Sequence, residues 1–97
     1  MTKITLSAFF APTRETPDHI RLADGLGCAR PWCDDLPLLY DDVFVTLARA
    51  TERASRIGLG VGVLVPGLRT PVVTANALCS VAARVRRRLH VSRAMAS

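Results

Sequence analysis

Ninety-seven residues, 49% of them hydrophobic, allow one small domain with a thin core. No apolar run reaches the roughly 18 residues that span a membrane. The start MTKITLSAFFAPTRE lacks the long apolar region and small-residue cleavage site of a secretory signal, so the composition predicts a cytoplasmic protein without a membrane anchor.

The first expected element is a short strand over Ile4–Phe10, ITLSAFF, closed by Pro12. Thr16-Pro17-Asp18 then supplies an N-cap, a proline at the first helical position and an acid in the first turn, with Ile20, Ala23 and Leu26 at helical spacing until Gly25 and Gly27. Cys28–Cys33, CARPWC, reads as a weak second strand ending at Asp34-Asp35, because Pro31 cannot donate to a ladder. Asp41 and Asp42 cap a second helix in which Val43, Phe44, Leu47, Ala48, Thr51 and Ala54 recur every three or four residues. The segment Ser55–Pro71, SRIGLGVGVLVPGLRTP, is the clearest strand. It places Ile57, Leu59, Val61, Val63 and Val65 on one face and Gly58, Gly60, Gly62 and Leu64 on the other. Neither face is polar, so the strand needs cover on both sides. Past Pro71, Val72–Ala83 is Ala-rich and reads as a third helix.

Three strand–helix units in tandem predict an α/β fold of parallel strands joined by right-handed crossovers, the start of a doubly wound sheet or of a (β/α)8 TIM-type barrel. A dinucleotide-binding start needs G-x-G-x-x-G directly after the first strand, and AFFAPTRETP stands there without a glycine. The barrel is preferred. Gly58, Gly60 and Gly62 lie inside a strand, where small side chains permit close approach, and are not a phosphate loop.

Charge and cysteine placement add limits. From Met1 to Leu78, eight Lys/Arg balance eight Asp/Glu, and the whole +5 excess belongs to Arg84, Arg86, Arg87, Arg88 and Arg93 of the last 19 residues. Such a run marks either a solvated end or contact with nucleic acid or an acidic partner. The missing interleaved aromatics make nucleic acid the less favoured reading. Cys28, Cys33 and Cys79 have neither zinc-knuckle nor redox-pair spacing and are expected as free thiols. No metal site, Ser-His-Asp set or phosphate loop is predicted, so the chain offers no catalytic residue of its own. His19 and His90 lack partners at sensible spacing. Barrel sites sit at the C-terminal ends of strands, which directs attention to Phe9 and Phe10, Asp34 and Asp35, and Val63–Pro66. Arg69 in the following loop is placed to meet an anion.

WCDDLP, followed by LYDDVFVTLARATERASRIGLGVGVLVPGLRTPVVTANAL, resembles the N-terminal part of the bacterial luciferase-like oxidoreductases that depend on flavin or deazaflavin. The likeness runs from about Cys28 to Leu78. It rests on Trp and Asp ending the second strand, a helix ending in ERxxRIGLG, a V-L-V strand and an L-R-x-P loop. The resemblance implies a (β/α)8 barrel of about 250 residues, of which this chain supplies three strand–helix units as a truncated member. It implies reduced FMN or a deazaflavin as cofactor, hydride transfer or oxygen insertion as chemistry, and a small-molecule substrate. Cofactor contacts are implied for Phe9, for Asp35 as the second-strand acid, and for Val63, Leu64 and Val65, which match a bulge that backs the isoalloxazine ring. Asp35 is read either as a hydrogen-bond partner of the cofactor or of a neighbouring loop, or as the cap of a Leu36–Tyr40 turn. Related sequences often carry His where Thr70 stands, which removes an acid–base role there. Beyond Leu78 the likeness is not expected to continue. Residues 79–97 are read as an Arg-rich tail that follows a frameshift or early stop after about Leu78, and the strand that flanks the third one in the family is expected to be missing. The 97-residue chain is expected to be inactive alone, and the alternative is a non-catalytic binding module using its basic tail.

Overall fold

A computed structural model describes residues 7–54, 57–85 and 89–93. Strands and helices alternate as β1 (Ser7–Phe10), α1 (Thr16–Gly25), β2 (Arg30–Cys33), α2 (Val43–Thr51), β3 (Leu59–Leu64), a 3-10 turn at Pro66–Leu68, α3 (Pro71–Ala82) and β4 (Leu89–Arg93). Ile4 and Leu6 of the expected first strand, and Arg86, Arg87 and Arg88 of the basic run, lie outside the described residues.

The helix starts follow their local chemistry, with one correction. Asp42 caps α2 by accepting from Val45 N at 3.0 Å, and Thr70 caps α3 by accepting from Val73 N at 3.4 Å ahead of Pro71. Thr16 is not a cap. It is buried inside the first turn of α1, where its hydroxyl donates to Ala11 O at 2.6 Å and accepts from Thr13 N at 2.8 Å, so it ties the β1–α1 loop to the helix. At the other end Gly27 takes φ +84°, where L side chains are strained, and the Cys28 amide turns back to Ala23 O. This turn leaves Leu26 exposed, against its expected place on the buried stripe.

All four strands run parallel in the order β1-β2-β3-β4. Crossovers of one hand that always step the same way keep the helices on one face, and α1 packs on α2 and α2 on α3. A doubly wound sheet reverses direction after its first strand. The arrangement is an arc of a (β/α)8 barrel, with helices outside and a concave inner face. Between helices and sheet lies one core that includes Ile20, Cys33, Val43, Phe44, Leu47, Leu59, Val61 and Val81.

β4 corrects the expectation that the strand beyond β3 is missing. Leu89 pairs with Leu59 and Val91 with Val61, so the boundary expected at Leu78 falls inside α3 and residues 89–93 join the sheet. The alternation of Leu89 and Val91 with His90 and Ser92 is a strand pattern, obscured in the sequence by the charge beside it.

On the inner face Phe9, Trp32, Gly60 and His90 share one register layer across the four strands. The Trp32 indole lies against the β3 backbone. A Cβ at Gly60 would meet its Cε3 at 2.6 Å, and one at Gly62 would meet the same atom at 2.7 Å. The glycines make room for this ring. Phe9 stacks on it with centroids 6.4 Å apart and planes at 19°, and His90 meets its edge at 6.4 Å. The helices thus cover one face of β3 and Trp32 the other.

The expected alternation of β3 breaks at its end. The Gly62–Val63 peptide is cis, and the register with β4 shifts between Gly62 and Leu64. The extra residue of this bulge turns Leu64 into the core, 6% exposed, and leaves Val63 43% exposed. Leu64 and Val63 have therefore exchanged their expected sides.

A methyl group at Gly60 or Gly62 displaces the indole. Gly60→Ala is expected to cost about 1–3 kcal/mol by overpacking, together with an altered Trp32 emission spectrum; chemical denaturation followed by fluorescence checks both, and an unchanged spectrum would contradict this packing.

Candidate functional site

The C-terminal ends of β2 and β3 are joined by one buried ion pair. Asp35, 2% exposed, follows β2, and Arg69 lies 34 residues later in the loop after β3. Arg69 Nη1 donates to Asp35 Oδ2 and Nη2 to Oδ1, both at 2.7 Å, in the bidentate fork that guanidinium and carboxylate geometry favours. The Val65 amide, just past β3, donates to Asp35 Oδ2 at 3.1 Å. On its other side Arg69 lies 4.8 Å from the Phe44 ring centroid and 3.8 Å from Asp42 Oδ1, so the start of α2 is drawn into the same cluster.

The electrostatics follow from this geometry. Burial pushes the Asp35 carboxyl up, but the Arg69 hydrogen bonds, the Val65 amide and the Arg69 charge more than offset it, and the group titrates below its ordinary range. Arg69 holds its proton more tightly, chiefly through its hydrogen bonds to Asp35, against the opposing effect of burial and with help from the charges of Asp35 and Asp42. Burial, and then the negative charge of Asp34, pushes the Cys33 thiol up to about 12. Cys33 is an inert core thiol.

These contacts place each expected site residue. Phe9 stands on the inner face, 73% exposed, stacked on Trp32. Val63 projects from the bulge at the rim, and Val65 sits behind it with its amide held by Asp35. Asp35 serves the neighbouring loop. Both of its oxygens accept hydrogen bonds within the chain, from Arg69 and from the Val65 amide. The turn at 36–40 closes through Tyr40 N to Leu36 O, and Asp35 accepts from Arg69 and Val65 rather than from that turn. Leu64 lies in the core and cannot line the inner face. Arg69 does meet an anion, and that anion is Asp35.

Three features escaped sequence reasoning. One is the Asp35–Arg69 pairing, although both residues follow adjacent parallel strands and so come to the same end of the sheet. Another is the Trp32 seat on Gly60 and Gly62. The third is an apolar rim of Leu38, Leu39 and Tyr40 beyond β2, all exposed, with Leu38 at φ +76°.

Among the described residues the site holds no nucleophile and no group of three or more metal-ligating side chains. It offers a planar apolar shelf at Val63, backed by an ion pair, at the end of the sheet where barrel enzymes bind their ligands. Trp32 fills the hollow over Gly60 and Gly62, and Phe9 and Val63 are left exposed.

Asp35→Asn is expected to destabilise the fold by about 3–5 kcal/mol, since it leaves the Arg69 charge buried and unpaired; urea unfolding measures the loss. In the native chain Asp35 ionises below its unfolded value, so its contribution is complete at neutral pH and is lost as pH falls below about 4. The same titration on Asp35→Asn should lack that part of the acid dependence. Ellman's reagent should modify exposed Cys79 in the folded chain and reach Cys33 only on unfolding.

The family model of luciferase-like monooxygenases matches residues 3–88, so the likeness extends ten residues beyond Leu78. The fold superposes on the coenzyme F420-dependent tetrahydromethanopterin reductase from Methanopyrus kandleri with a TM-score of 0.85 and 20% sequence identity, over 95% of this chain and 27% of that one. This chain spans about a quarter of that structure's length. No curated protein sequence matches it. The family model covers most of the chain: the chain belongs to the luciferase-like monooxygenase family.

Proposed function

We propose that this chain forms the first wall of an oxidoreductase site that holds the ring of a reduced flavin or deazaflavin against Val63, with the reaction proper to a whole barrel. The observation that carries this reading is the exposed Val63 on the β3 bulge, with Asp35 gripping the backbone two residues on. Between the two cofactors, a deazaflavin is favoured by the likeness to the superposed reductase, which is coenzyme F420-dependent.

Bound there, such a cofactor supplies hydride transfer or oxygen chemistry that no side chain of this chain provides. The residues do the rest. Val63 gives the ring an apolar contact and keeps water from one of its faces. Asp35 and Arg69 fix the height of Val65, and through the backbone the position of Val63. Trp32 and Phe9 close the inner face beneath the shelf. In (β/α)8 enzymes the phosphate clamp usually comes from loops after strands seven and eight, which these 97 residues do not contain. Binding by this polypeptide alone is therefore weak, and turnover is absent.

The sole tryptophan, Trp32, provides the readout. Titration with FMN and with a deazaflavin should give a saturable change in its emission with an apparent Kd of about 0.1–1 mM. Val63→Glu, a change at a half-exposed position, should weaken that binding about tenfold while leaving the unfolding midpoint nearly unchanged. Equal responses of the native chain and Val63→Glu would overturn the placement at β3.

A further inference from the structure

At the N-terminal ends of β2, β3 and β4, opposite the Val63 rim, lies a second concavity. It has a volume of about 820 Å³ and is lined by Asp24, residues 25–29, Arg30, Ile57, Gly58 and His90. That volume is in the range of small-molecule sites.

Arg30 is unmet there. Its guanidinium lies 5.5 Å from the Trp32 ring centroid, and its Nε is fully buried without a hydrogen-bond partner among the described residues. Among the described residues no carboxylate comes within ion-pairing distance of it. A guanidinium carries five N–H donors and keeps its charge at any ordinary pH. The contrast with Arg69, whose fork is filled by Asp35, is plain. Asp24 and His90 have interactions of their own, so the unmet donor capacity in this cavity belongs to Arg30. The carbonyls at the end of α1 that border the cavity are also taken, by the amides of Leu26, Gly27 and Cys28.

We propose that this cavity is an anion site, in which the fork of Arg30, steadied on the Trp32 face, receives the phosphate or carboxylate of a small molecule. The site lies at the opposite end of the strands from Val63. It does not depend on the flavin reading, and either can fail without the other.

Trp32 reports on this end as well, because Arg30 lies on its ring. Sodium phosphate and sodium succinate would each be titrated into the 97-residue chain at constant ionic strength made up with sodium chloride. The expected result is a saturable change in Trp32 emission and a raised thermal midpoint with phosphate, succinate or both; the two salts distinguish phosphate from carboxylate as the preferred group. Arg30→Gln should weaken the response about tenfold, and Arg14→Gln, at an exposed arginine on the β1–α1 loop, should leave it unchanged. Should Arg30→Gln fail to fold, Arg30→Lys keeps the charge but loses the fork and should weaken binding severalfold. A response no greater than that to chloride, or one retained in full by the Arg30 variant that folds, would overturn the proposal.

Discussion

Two parallel strands that end side by side carry their loops outward, and nothing in the ladder holds those loops in place. Here the Asp35–Arg69 fork does so. It links the residue after β2 to the loop after β3, collects the Val65 amide, and rests on Phe44 at the start of α2. The β2–α2 connection, the β3–α3 connection and the first turn of α2 thus share one buried pair. Such a pair is costly to desolvate, and its worth lies less in net stability than in the penalty for leaving either partner alone. That asymmetry favours one arrangement of the rim over its alternatives, and the exposed Val63 inherits its position from it.

The inner face is organised by a second constraint. Trp32 needs the space that side chains at positions 60 and 62 would occupy, so the glycines of β3 and the indole of β2 are one packing unit. Phe9, Arg30 and His90 then gather around the ring from β1, from β2 itself and from β4. In this way a single aromatic side chain separates the two ends of the concave face. The rim at Val63 is apolar and braced, whereas the opposite end is polar and holds Arg30, which has no carboxylate within ion-pairing distance among the described residues.

Much of this was legible in the residues. Period-3.6 spacing located α2 with its buried Val43, Phe44 and Leu47, and the apolar run from Ile57 located β3, because both patterns record burial directly. Asp42 declared its cap for the same local reason. What was hidden depends on partners distant in sequence or on a break of period. Nothing in GLGVGVLV reveals that one extra residue reverses Val63 and Leu64, since bulges leave no local signature here. β4 was hidden by composition: LHVSR alternates as a strand should, yet the arginines before it draw the eye to charge. At the site, Asp35 pairs with Arg69 and with the loop after β3, partners that only the parallel register brings together.

As an arc of four parallel strands covering 27% of the superposed reductase, the chain carries a braced wall of a barrel site. The brace is the central claim, and a double-mutant cycle on Asp35 and Arg69 tests it most directly. Asp35→Asn, Arg69→Gln and the combined variant would be compared by urea unfolding at pH 7. The account predicts a coupling energy above about 1.5 kcal/mol, with the double variant no less stable than the worse single one. Additive losses would contradict it, because they would mean that the two side chains stabilise the rim independently and that no fork holds the end of β3.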